Sequence, residues 1–134
     1  MTMNVNSLTE SDFNATLLDF LIQFEGSKPK PYVDSKGIPS IGIGYNLKDK
    51  RVRDLVLDQM GIGHDSATGK AIAAAIQAFN GHTVTSPADQ AAQNQALQTA
   101  LDQAYGQPFV MTDTQIDAVF ADGVKAYVDK AKSL

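Results

Sequence analysis

The chain contains no cysteine, which excludes a disulfide framework and thiolate zinc sites without fixing the redox compartment. No apolar run approaches the roughly 20 residues that span a bilayer. The opening stretch, MTMNVNSLTESDFNATLL, has neither a basic n-region nor a long apolar h-region, so no signal peptide or membrane span is expected. A basic surplus is missing as well. Lys and Arg number 11 against 15 Asp and Glu, for a net charge of -4. That balance argues against non-specific grip on nucleic acid, and the lysines never gather with aromatics into a basic stripe. What remains is a chain of 134 residues, enough for one domain with its own core.

Apolar periodicity predicts a first helix from about Ser11 to Glu25, with Phe13, Leu17, Leu21 and Phe24 on one face, Thr9 or Ser11 as cap and Gly26 as stop. From Ser27 the period changes. Tyr32 and Val33 precede Asp-Ser-Lys-Gly, and alternation resumes from Ile38 to Ile43, which reads as a small β-hairpin turning at Asp34 to Gly37. Asp49 then opens a helix closed by Gly61, and Asp65 or Ser66 opens another that is expected to end at Gly81. Ser86-Pro87 starts an Ala- and Gln-rich helix to Tyr105, whose apolar stripe is thin: Leu97, Leu101 and Tyr105. Thr112 and Gln115 form a capping box for a last helix bearing Ile116, Val119, Phe120, Val124, Tyr127 and Val128. Residues 81 to 95 are polar enough to be expected as a mobile excursion. The fold class is therefore α+β.

The chemistry concentrates in FEGSKPKPYVDSKGIPSIGIGYNL. Glu25 closes the first helix, Asp34 follows nine residues on, and Ser40 six beyond that. A helix C-terminus disfavours an ionised carboxylate by roughly 0.3–1 kcal/mol, and a raised pKa suits a general acid. A lysine partner, Lys28 or Lys30, is the structural reading of Glu25; backbone bonding in a turn is that of Asp34. Together the three residues can form a cleft with the two carboxyl groups that glycosidic cleavage requires and a hydroxyl to hold water. Gly42 and Gly44, read on one face of the strand after Ser40, would let a bulky ligand approach the backbone; a twist or bulge explains them equally. A dinucleotide fingerprint is rejected, because the third glycine and the βαβ context are missing. His64 and His82 stand in polar loops without evident partners, so no metal site is expected. Lys48 to Arg53 reads as a solvated run of mixed charge. No serine lies in a nucleophile elbow.

This segment resembles the phage lysozymes of the T4 type, glycoside hydrolase family 24, in which a glutamate ends the first helix before a hairpin reading roughly Y-x-D-x-x-G-x-x-T-I-G-x-G. Here the match runs E-G, then PYVDSKGIPSIGIGYNL. The resemblance implies a lysozyme-like fold, with Glu25 as proton donor, Asp34 as the aspartate, and Ser40 where the family usually has threonine. Serine keeps the water-holding hydroxyl but loses the methyl that restricts its rotamer. Tyr32 is implied to line the saccharide cleft, with Asn46 and Gly44 beside the substrate. TDTQIDAVFADGVKAYV resembles the family's helix leading out of the N-terminal lobe. Tyr45 and Gly123 stand where those enzymes often pair a histidine with an aspartate. The family's second helical lobe is not read after this helix.

The domain reading is thus a single lysozyme-like domain over 1–134: a catalytic segment at 11–47, an extended helical insertion at 49–105 and a final helix at 112–132. The other cleft wall would come from the rest of a longer protein, the favoured expectation, from another chain, or from the insertion itself. The implied activity is an inverting N-acetylmuramidase acting on peptidoglycan in the bacterial periplasm or cell wall, with no cofactor. Delivery by holin release, a virion or a secretion system follows, the last with an immunity or inhibitor protein as partner. A lytic transglycosylase and a non-catalytic peptidoglycan- or protein-binding module are the alternatives.

Overall fold

The computed structural model describes residues 28–132, with side chains through Lys125; the expected first helix and Glu25 lie outside these residues, as do the side chains of Tyr127 and Val128. Three strands, β1 (Lys28–Val33), β2 (Pro39–Gly42) and β3 (Tyr45–Asn46), form an antiparallel sheet in that order. Four helices follow: α1 (Lys50–Gln59), α2 (Ala67–Ala78), α3 (Pro87–Tyr105) and α4 (Asp113–Lys132). The α+β class is as expected. Among the described residues no helix is long and apolar enough to cross a membrane.

Local chemistry sets the boundaries. Asp49 caps α1 by accepting from the amides of Arg51 and Val52, at 3.0 and 3.3 Å. Ser66 caps α2 through the Gly69 amide, and Ser86 caps α3 through the Asp89 amide, with Pro87 in the first turn, where its missing N–H costs nothing. The Thr112 and Gln115 capping box is reciprocal: each side chain accepts from the other's amide, at 3.1 and 2.9 Å. Helix α2 stops at Ala78, short of Gly81, because Phe79 turns extended. The Lys48 ammonium donates to the Gln77 and Phe79 carbonyls, both at 3.1 Å, placing a cation on the negative end of the helix. That corrects the solvated reading of Lys48 to Arg53. Arg53 is also buried, with Nη1 donating to the Leu47 carbonyl at 3.0 Å and Nε without a partner among the described residues.

The core joins Val33 and Ile41 of the sheet, Leu47, Val56 and Leu57, Ile72 and Ile76 of α2, Leu97 and Leu101 of α3, and Phe109, Met111 and Ile116. Helix α3 packs on both α2 and β1 while α4 packs on α1. How α3 does so explains its thin stripe. Its buried residues are Gln93, Leu97 and Leu101, and its amides perform the rest of the docking. Asn94 Oδ1 accepts from the Val33 amide at 2.7 Å, and Gln90 Nε2 donates to the Val33 carbonyl at 3.2 Å, so the open edge of β1 is satisfied by helix side chains instead of another strand. Gln98 Nε2 donates to the Phe109 carbonyl, and Asp102 Oδ1 accepts from the Phe109 amide. Leaving such a buried group unpaired would cost about 1–3 kcal/mol, comparable to burying an aliphatic side chain.

The polar stretch 81–95 is therefore no mobile excursion. Its second half is helix, and its first half is tied to the hairpin turn: the Val84 amide donates to Ser35 O at 2.9 Å, while Gln93 pairs with both the amide and carbonyl of His82. A Cβ on Gly81 would lie 1.8 Å from the Gly37 carbonyl oxygen, so the two backbones touch where neither residue has a side chain.

Candidate functional site

The hairpin is built around Asp34. Its amide donates to Ile38 O at 3.0 Å, and its carbonyl accepts from Gly37, whose φ of 84° supplies the left-handed residue that closes the turn. Its Oδ1 accepts from the amides of Lys36 and Ile38 at 2.8 and 2.9 Å. The structural role foreseen for a turn aspartate is thus real. It occupies one carboxylate oxygen; Oδ2 receives no hydrogen bond from the described residues, and the side chain remains partly exposed.

Ser40 faces Tyr32 across β1 and β2 and faces Asn46 across β2 and β3. Pairing and alternation put these three side chains on one face of the sheet. Ser40 is 3% exposed, and its hydroxyl donates to the Ile38 carbonyl at 3.1 Å. Its hydrogen is committed, so towards a further partner the oxygen is an acceptor. Tyr32 is half-buried, with the Lys28 ammonium 4.3 Å from its ring centroid. A Cβ on Gly44 would come within 3.9 Å of the Tyr32 hydroxyl, so Gly44 and Tyr32 do meet. Asn46 is exposed, its Oδ1 accepting from the Lys48 amide. The two glycines are not on one face of a continuing strand. Strand β2 ends at Gly42, and Gly42 and Gly44 have φ of 68° and 96° in the turn to β3, so backbone conformation accounts for both.

Gly42 also makes room for Tyr45, whose ring atom Cε2 would lie 2.7 Å from a Cβ there. The Tyr45 hydroxyl donates to Ile116 O at 2.7 Å and so ties the sheet to α4. Burial, then the charge of Asp117, pushes this hydroxyl well above its usual value of 10. In the folded protein it stays neutral while an unfolded chain ionises, so stability falls as pH rises past 10. Tyr45→Phe is expected to cost about 1 kcal/mol at neutral pH from the lost hydrogen bond. The deficit should shrink above pH 10, where only the wild type carries this penalty; urea denaturation at the two pH values measures it, and a constant deficit would disprove the coupling.

Both histidines have carboxylate partners, contrary to the sequence reading. His64 Nδ1 lies 2.8 Å from Asp58 Oδ1 and its Nε2 lies 3.3 Å from Asp65. The hydrogen bond to Asp58 raises the His64 pKa, and the same bond lowers that of Asp58. His82 Nε2 lies 2.8 Å from Asp89 Oδ1, and Asp89 is held low first by the Thr85 amide and then by His82. Among the described residues no three such side chains converge as metal ligands.

The sequence reading counted the 49–105 insertion among the possible sources of a second cleft wall but named no residue of it, and the groove between β1 and α3 was not foreseen. Lys28, Pro29, Lys30, Pro31 and Tyr32 of β1, with Ala91, Asn94, Gln95 and Gln98 of α3, line a groove of about 550 Å³. The signal was present in α3: a long helix rich in Gln and Asn with little apolar stripe must bury its amides against something. No protein-family model, curated protein or solved structure matches this chain.

Proposed function

We propose that this protein is a peptidoglycan hydrolase that cleaves the β-1,4 bond between N-acetylmuramic acid and N-acetylglucosamine with inversion. Such a reaction needs an acid at the leaving oxygen and a base that directs water to the opposite face of the sugar. The observation that carries the reading is the hairpin. Asp34 uses one oxygen to fix its own turn and keeps the other for a proton, and Ser40 nearby in the same hairpin presents an oxygen restricted to accepting. A water donating one hydrogen to Asp34 Oδ2 and the other to Ser40 Oγ would have its lone pair free for the anomeric carbon. Glu25, outside the described residues, supplies the acid in this reading by its place in the motif. Tyr32, Gly44 and Asn46 flank the same face.

Glu25→Gln should abolish lysis of permeabilised Gram-negative cells while the circular dichroism spectrum is retained. Mass spectrometry of wild-type digests should find fragments carrying one added water; anhydro ends would instead identify a lytic transglycosylase. A folded Glu25→Gln protein that lyses at the wild-type rate would sink the assignment.

A further inference from the structure

We propose that α3 forms the second wall of the substrate cleft and that the β1–α3 groove is a subsite for the anionic, peptide-bearing part of a peptidoglycan strand. This rests on the hydrolase reading and names the part of the substrate that the groove recognises. The groove shares Tyr32 with the face that carries Ser40, so a strand running along β1 from the hairpin enters it directly. At about 550 Å³ it falls within the range of ligand-binding clefts. Among the described residues that line it, the only ionised side chains are Lys28 and Lys30 and none is a carboxylate, although the chain as a whole is acidic. A cationic groove on an acidic protein selects carboxylates, and peptidoglycan carries these on its lactyl-linked stem peptides.

The groove is also built to persist. At Val33 the helix is fixed to the strand by Asn94 and Gln90, and further along it Gln98 binds the Phe109 carbonyl. The Pro29 carbonyl accepts from Met111 at 2.9 Å, and Pro29 and Pro31 offer no N–H through which the strand edge could recruit another strand. Gln95 is exposed on the opposite wall, bonded among the described residues only to Thr99 at 3.4 Å, and can turn towards a ligand.

The test compares affinity for a muramyl tetrasaccharide bearing tetrapeptides with affinity for chitotetraose, which has no charge, by calorimetry on the full chain. The wild type should prefer the charged probe by about tenfold, the scale of two partly exposed charge pairs. Lys28→Gln/Lys30→Gln should bring that ratio close to one. Gln95→Glu should weaken the charged probe and Gln95→Lys strengthen it, each by a few-fold. An unchanged ratio in the lysine double variant, or indifference to the charge at position 95, overturns the groove as a subsite. If the wild type nevertheless releases reducing ends, the hydrolase reading stands and only the subsite falls. If the folded wild type neither binds nor cleaves either probe, the hydrolase reading fails and takes the subsite with it.

Discussion

Asp34→Asn is expected to leave the fold unchanged and to reduce release of reducing ends from peptidoglycan by roughly 10²–10⁴-fold, the range for a lost general base. The expectation follows from the division of labour between the two carboxylate oxygens. Oδ1 accepts from Lys36 and Ile38 amides, and an asparagine carbonyl can do the same. Oδ2, which the described residues leave unbonded, would become an NH₂ group that donates where a base must accept. Asp34→Ala removes both functions, so it should lose activity and also roughly 1–3 kcal/mol from the turn. The pair of variants separates the two roles: Tm distinguishes Ala from Asn, whereas activity does not. An Asp34→Asn protein with more than a tenth of wild-type turnover would reduce Asp34 to a turn residue and leave the proposed mechanism without its base.

The parts of this fold that could be read from the sequence are those specified by neighbours in the chain. Ser86-Pro87, Asp49 and the Thr112–Gln115 box announce helices because capping acts over two or three residues, and each caps the helix it was expected to cap. The hairpin was legible for the same reason, since Asp34 and Gly37 meet the demands of a turn within four residues. Docking of α3 was not legible. Periodicity registers apolar area, and this helix joins β1 through Asn94 and Gln90, which look like solvent-facing residues until the Val33 edge is in view. The histidine partners were hidden by geometry: Asp58 precedes His64 by six residues across a loop, a separation with no helical meaning. For the candidate site, sequence identified the types and spacing of Glu25, Asp34 and Ser40. The structure adds the bonding of the last two and the β1–α3 groove.

The seat of the 81–86 segment on the Asp34 turn yields a graded set of stability losses from three glycines. Gly106 has φ 81° with nothing among the described residues within 4 Å of a would-be Cβ, so Gly106→Ala should cost only the left-handed penalty of about 1–2 kcal/mol. Gly81 has no positive φ, but its added methyl would collide with the Gly37 carbonyl at 1.8 Å; overpacking of this kind costs roughly 1–3 kcal/mol. Gly37 combines both conditions, with φ 84° and the His82 carbonyl oxygen 2.3 Å from its Cβ. Gly37→Ala should therefore lose about 2–5 kcal/mol, the sum of the two terms. Urea denaturation of the three variants measures the series. Backbone opposes backbone at this crossing, so a flexible side chain cannot absorb the collision and the turn itself must move. Gly81→Ala should consequently reduce peptidoglycan cleavage at a temperature where it is still folded, because the residue displaced is the turn that aims Asp34. Gly106→Ala, far from that contact, should not. A Gly37→Ala loss no larger than that of Gly106→Ala would mean that the segment is not seated on the turn, and with it would go the idea that α3 and its leading loop brace the site.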